Sequence, residues 1–109
     1  MSTQKNSSRV VIVLTTETNT AVADNLAEQI LKRKLAACVS LREVQSHFWW
    51  KGKLDKNKEV QLMIKTREEI LTDLFKIINQ FHSYKTPEIL YWKISASTSY
   101  KEWIEEVTC

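Results

Sequence analysis

The residues able to do chemistry in this chain of 109 are few, and two of them, His82 and Cys38, are of types that can bind a metal ion. His82 is the first candidate metal ligand, because an imidazole at the end of a helical segment can face a cleft. A histidine at this position more often stabilises the helix dipole. Cys38 is a second candidate, because a thiolate suits copper or zinc, but a single cysteine among aliphatic residues is more often a small buried hydrophobe. Cys109 is the last residue, and we expect it in an exposed tail.

No nucleophile elbow, phosphate-binding loop or HExxH motif occurs, and the single glycine excludes a glycine-rich phosphate cradle. We therefore predict no enzyme and no required cofactor, with copper or another divalent cation as a possible ligand.

Charged residues also stand at strand positions or strand ends, where they could line a cleft. They are Glu59, Lys65, Arg67 and Glu88. In a sheet with one face in water these side chains would only be solvated. If a second chain covers that face, they become the lining of a charged cleft.

A basic, aromatic segment raises the question of nucleic-acid binding. Lysines at 51, 53, 56 and 58 adjoin Phe48, Trp49 and Trp50, a combination used to bind single strands. Asp55 and Glu59 interrupt the lysines, and the net charge is only +3. A solvated hairpin turn beside an aromatic cluster explains the segment better, and we predict no nucleic-acid partner.

Composition limits the chain to one ordinary domain. It is 43% hydrophobic and 27% charged, which excludes intrinsic disorder. Residues 1–8 are polar, without the apolar core of a signal peptide, and the longest apolar run, Val10 to Leu14, cannot cross a bilayer. Two cysteines make no disulfide framework. We expect a mobile tail over residues 1–8, a domain over residues 9–109, a cytoplasmic location and no membrane partner.

Hydrophobic periodicity predicts an α+β fold. The predicted elements are a strand at Arg9–Thr15, a helix at Thr20–Lys34, a strand at Ala37–Lys51 with a bulge between Leu41 and Val44, a turn at Gly52–Asn57, a strand at Lys58–Thr66, a helix ending at Phe81 that opens with a capping box from Thr66 to Glu69, a strand at Glu88–Ser95 and a short helix at Ser99–Val107. The order β-α-β-β-α-β is typical of a ferredoxin-like sandwich. It predicts a four-stranded antiparallel sheet with two helices on one face.

The predicted hairpin is too long for a monomer. Each arm is about twice the usual strand length of ~5–6 residues. Its tip, from His47 to Trp50, is apolar on both faces, and two helices cannot cover it. Either a partner chain covers the hairpin or the final helix folds over it, and we favour the partner.

Several short motifs in order resemble the CutA divalent-cation tolerance family, over about Val10 to Ile104. They are Leu35-Ala36-Ala37-Cys38-Val39, Trp50-Lys51-Gly52-Lys53, Glu59-Val60, Ile64-Lys65-Thr66-Arg67, His82-Ser83-Tyr84-Lys85-Thr86-Pro87-Glu88-Ile89 and Tyr100-x-x-Trp103-Ile104. The resemblance implies a ferredoxin-like domain that forms a compact homotrimer, similar to that of the PII signalling proteins. It also implies a role in metal-ion tolerance and homeostasis, with copper binding proposed.

The resemblance implies an incomplete ligand set in this chain. Some bacterial members carry a cysteine at the position of Thr15 and two histidines at the positions of Phe81 and His82, and Ser83 replaces a proline. With one imidazole left, we expect only weak copper binding. The alternative is a PII-like protein that binds a small anionic ligand at the subunit interface, with Lys65 and Arg67 on the ligand, Trp50 and Tyr84 as walls, and Glu88 orienting the cations.

Overall fold

The computed structural model describes residues 9–108; the predicted tail at residues 1–8 and Cys109 lie outside the described residues. Its elements are β1 (Val10–Glu17), α1 (Thr20–Lys32), β2 (Cys38–Trp50), β3 (Lys53–Arg67), a single 3-10 turn (Glu68–Ile70), α2 (Leu71–Phe81), β4 (Leu90–Ile94) and α3 (Thr98–Val107). This order confirms the predicted β-α-β-β-α-β arrangement followed by a short helix. Between residues 9 and 108 no helix is both long and apolar enough to cross a membrane.

The sheet has the strand order β2-β3-β1-β4, and each neighbouring pair is antiparallel. α1 and α2 pack on one face of it, as predicted. Residues of odd number in β1 and even number in β3 point to this helix face, because Val11 pairs with Thr66 and Val13 with Ile64. The core on this face includes Val11, Val13, Leu62 and Ile64 from the strands, and Leu26, Ile30, Leu74 and Ile78 from the helices.

The opposite face of the sheet is covered at one end by α3. Arg67, at the end of β3, donates from Nε to Thr108 Oγ1 at 2.8 Å, and Ile104 of α3 is fully buried. Val10 and Ile12 of β1 are buried on the same face. α3 therefore lies at the end of the sheet away from the hairpin tip, and it does not fold over the hairpin.

The turn of the long hairpin differs from the prediction. Strand pairing runs without interruption from Cys38 opposite Lys65 to Trp50 opposite Lys53. The turn is therefore only Lys51 and Gly52, both with positive φ (50° and 77°), which is typical of a type I′ turn and matches the strand twist. The predicted turn at Gly52–Asn57 is wrong, because those residues after Gly52 belong to β3.

The predicted bulge between Leu41 and Val44 is also wrong, since the register is continuous there. The apolar residues change from one face of the strand to the other at this point. Val39 and Leu41 pack against the helix-face core, whereas Val44 and Phe48 are partly buried on the opposite face, beyond the reach of the helices. The change in alternation therefore marks the point where the apolar residues move to the face opposite the helices, and no extra residue is inserted.

We expect the turn to be sensitive to its φ angles. Gly52→Ala should destabilise the fold by about 1 kcal/mol, because alanine is strained at positive φ although its Cβ would meet nothing within 4 Å. Lys51→Asn should stabilise it by about 0.5–1 kcal/mol, because asparagine is favoured there in type I′ turns. Urea denaturation checks both, and equal midpoints for the two variants would contradict the assigned turn.

The predicted capping box is wrong for a tertiary reason. Thr66 points to the helix face, where its hydroxyl donates to the carbonyl of Leu35 at 2.8 Å. Glu69 does not reach back; its carboxylate lies 3.6 Å from Arg67 Nη1. The chain after β3 instead makes a 3-10 turn, without a side-chain cap, before α2 begins.

Candidate functional site

The candidate metal-binding positions meet where β1 ends and the chain leaves α2. β1 continues past the predicted Thr15 to Glu17, so both of these side chains point to the helix face. His82 follows the last residue of α2 and lies over this end of β1. Its Nε2 is 3.1 Å from Thr15 Oγ1. The structure therefore brings together two of the three positions that the family resemblance singled out.

The His82 ring is fully buried, and protein groups engage both of its nitrogens. Nδ1 accepts a hydrogen bond from the Tyr84 backbone N–H at 3.0 Å. Glu17 Oε2 also lies 3.4 Å from Nδ1. A proton on Nδ1 would point toward the Tyr84 N–H, so we assign the proton to Nε2, which then donates to Thr15. With the proton so assigned, Nδ1 and Glu17 Oε2 are both acceptors, and no hydrogen bond joins them across their 3.4 Å separation.

Glu17 is the residue of this site that the sequence did not reveal. Its side chain is fully buried, and its carboxylate accepts hydrogen bonds from two backbone N–H groups: Thr18 at 3.0 Å and Ser83 at 2.9 Å. It therefore joins the end of β1 to the loop after α2. An acidic residue ending an apolar strand was the only available signal, and its partner is 66 residues away.

These residues do not fit a tight transition-metal site. Thr15 offers a hydroxyl where a soft donor would be needed, and Phe81 lies with its ring centroid 5.2 Å below the guanidinium carbon of Arg33. Within residues 9–108, no group of three or more His, Cys, Asp or Glu side chains is placed to hold a metal ion. His82 as a metal ligand stays a prediction, with a geometry that favours weak binding.

A second polar cluster lies beside the first and contains three of the predicted cleft residues. The Tyr84 hydroxyl donates to Glu59 Oε2 at 2.7 Å. Burial, this hydrogen bond and the Glu59 charge together raise the pKa of Tyr84. Burial, and then the negative charge of Glu59, also raise the pKa of Glu88. The cluster therefore concentrates acidic groups, which disfavours an anionic ligand at this point.

We expect Glu88 to give a pH-dependent effect on stability. The pKa of Glu88 is raised in the folded chain, so the folded state holds its proton more tightly than the unfolded state does. The stability that this proton contributes is fully present below the ordinary carboxyl pKa, and it is lost as the pH rises through the raised pKa. Glu88→Gln should therefore stabilise the protein relative to wild type at neutral pH, and the difference should vanish in acid. Melting temperatures of both proteins across that range check it; a difference that grows in acid would contradict the direction of the shift.

The other three predicted cleft residues lie elsewhere in the chain. Lys65 Nζ is 3.9 Å from Cys38 Sγ on the face opposite the helices. Arg67 binds the end of α3, and Trp50 lies at the hairpin tip with 60% of its surface exposed. Within one chain, therefore, the six residues do not form one cleft. Cys38 is partly buried at the start of an edge strand, and Ser40 Oγ lies 4.0 Å from its sulfur.

A groove lies on the helix face between the hairpin and the start of α1. Its volume is about 410 Å³, and its lining includes Asn19, Glu43, Gln45 and Lys58. None of the predicted cleft residues lines it.

Comparison with known proteins connects this fold with a family. The model of the CutA1 divalent ion tolerance proteins matches residues 11–107. The chain belongs to this CutA1 family. Two similar relatives are the divalent-cation tolerance proteins CutA of Pyrococcus horikoshii, 34% identical over 91% of this chain and 98% of that protein, and of Yersinia pestis (strain Pestoides F), 39% identical over 89% and 83%.

Solved CutA1 structures share the fold closely. CutA1 of Oryza sativa is 33% identical with a TM-score of 0.90, and covers 95% of this chain and 97% of its own. The CutA of Archaeoglobus fulgidus, described as periplasmic, is 31% identical with a TM-score of 0.88, over 90% and 97%. The CutA1 family is named for tolerance of divalent ions, and its name indicates no catalytic activity.

Proposed function

We propose that this protein acts in divalent-cation tolerance and homeostasis as a cytoplasmic, non-enzymatic homotrimer with weak affinity for copper or another divalent cation. The observation that carries the proposal is the CutA1 match over residues 11–107, nearly the whole described chain. The weak affinity and the trimer rest on separate features of this structure.

The exposed apolar surface supports an assembly of chains. Large hydrophobic side chains are exposed on β4 and at the hairpin tip, among them Trp92 and Leu90, Trp49 and Leu54. β2 and β4 are the two edges of the sheet, so each could pair with a strand of another copy. A ring of three copies, each pairing one edge with its neighbour's other edge, would cover both.

Light scattering at micromolar protein concentration tests the trimer. We expect three times the chain mass of 12.8 kDa. A mass of one chain would remove the proposal, and a mass of two would keep an assembly but contradict the ring.

Weak cation affinity follows from the donors that remain. The single imidazole of the matched positions already has Thr15 and the Tyr84 N–H as partners, so a metal ion would have to displace one of them. Calorimetric titration of copper(II) into the wild type should give a dissociation constant weaker than about 1 μM. A tighter constant that is lost in His82→Ala would contradict the proposal.

A PII-like role is the second candidate function, and the groove lined by Lys58, Asn19 and Gln45 favours it. The Lys58 ammonium and the side-chain amides of Asn19 and Gln45 can donate to a small anion, with Glu43 as the one acidic residue of the groove lining, whereas the Glu59 cluster offers no cation. A screen of metabolite anions by thermal shift separates the two functions, since a ligand that binds only the folded state raises its melting temperature.

A further inference from the structure

We propose that His82 in this chain is a structural residue rather than a metal ligand: its imidazole, with Glu17, fastens the loop after α2 to the end of β1. The inference concerns the role of this ring alone. It holds whether or not the protein binds cations elsewhere.

The first step is the engagement of the ring. A metal ion needs the lone pair of a ring nitrogen. The lone pair on Nδ1 accepts the Tyr84 N–H at 3.0 Å. Nε2 lies 3.1 Å from Thr15 Oγ1, to which it donates in the tautomer assigned above. A metal ion on Nε2 would therefore break the hydrogen bond between the ring and β1. A metal ion on Nδ1 would break the hydrogen bond between the ring and the loop.

The second step is access. The side chain of His82 has no exposed surface, and neither has that of Glu17. Thr15, whose hydroxyl lies 3.1 Å from Nε2, is fully buried as well. A hydrated cation could reach Nε2 only if the loop separated from β1.

The third step is what the ring holds in place. The Tyr84 N–H is fixed by His82 and the Ser83 N–H by the Glu17 carboxylate, so two consecutive backbone groups of the loop are held from one side. The same loop carries the Tyr84 ring, 4.9 Å from that of His82, and its hydroxyl on Glu59. We infer that His82 and Glu17 position Tyr84, and through it the acidic cluster.

The experiment uses the full chain and copper(II) as the probe. The sequence has two histidines, so ring signals in NMR separate buried His82 from exposed His47. We expect His82 to show the proton on Nε2 and to keep its line width as copper is added, whether or not His47 broadens. Broadening of His82 at or before that of His47, or a proton on Nδ1, would overturn the inference.

Amide exchange of the loop tests the fastening directly. In His82→Ala the Tyr84 N–H should exchange at least about 10-fold faster than in wild type, because its acceptor is gone. In His82→Asn the exchange rate of the Tyr84 N–H should stay within about 3-fold of the wild-type rate, because the Asn side-chain oxygen can accept a hydrogen bond from the N–H two residues on. His47→Ala is the matched control and should leave it unchanged.

Equal exchange in wild type and His82→Ala would overturn the inference, as would equal loss in the Ala and Asn variants. If His82→Ala does not fold, the tautomer and line widths of the wild type still decide. Tight copper binding without broadening of His82 would refute the proposed weak affinity while leaving this role of His82 intact.

Discussion

Replacing Trp50 by alanine should lower the free energy of unfolding of the assembled protein by about 3–5 kcal/mol, the usual cost of removing a buried aromatic side chain. Within one chain 60% of the Trp50 surface is exposed, so its truncation in a monomer would cost far less. The effect therefore depends on a partner copy covering the face of the hairpin that carries Phe48 and Trp50. Denaturation at fixed protein concentration measures it, because the stability of an assembly depends on concentration.

Trp49→Ala is the matched control, since its side chain points to the other face of the same strand and is 71% exposed. We expect a smaller loss for it. A loss below about 1 kcal/mol for Trp50→Ala would place Trp50 in solvent in the assembly as well, and would contradict a hairpin buried between copies.

The fold was predictable because its signals are local. Each of these signals lies within one segment: the unbroken apolar run of β1, the helical spacing in α1 and α2, and the alternation in β3. The structure confirms the strands and helices that they predicted. The features that were missed depend on contacts distant in sequence. The Thr66 hydroxyl would have capped a helix had the Leu35 carbonyl not been within its reach. The predicted turn was misplaced because a lysine in the sequence does not indicate a positive φ, which Lys51 adopts.

The site was predictable only in part, for the same reason. The family resemblance named Thr15 and His82, and the structure places them in contact. Glu59, Tyr84 and Glu88 were named as cleft residues and come together. Arg67 was named with them, but its guanidinium binds Thr108, 41 residues away, and so fixes α3. The sequence does not show whether a charged residue at a strand end will bind a ligand or another segment of the same chain.

Glu17→Ala should destabilise the protein by about 2–6 kcal/mol, since it leaves two partly buried backbone N–H groups without an acceptor, at about 1–3 kcal/mol each. Those groups are the N–H of Thr18 and of Ser83, each bound to a different oxygen of the carboxylate. Glu17→Gln should cost about half as much, because the amide keeps one acceptor oxygen but turns its NH₂ toward the other donor. Urea midpoints at fixed protein concentration rank the three proteins.

Glu43→Ala is the control for this series: it removes an exposed glutamate from the hairpin and should change stability by no more than about 0.5 kcal/mol. The order wild type, Gln, Ala is the sensitive part of the prediction, because a purely electrostatic role for Glu17 would make the two variants equal. Equal losses would therefore assign the effect of Glu17 to its charge beside His82 rather than to its hydrogen bonds. An Ala variant as stable as wild type would show that the loop after α2 does not depend on this carboxylate for its place against β1.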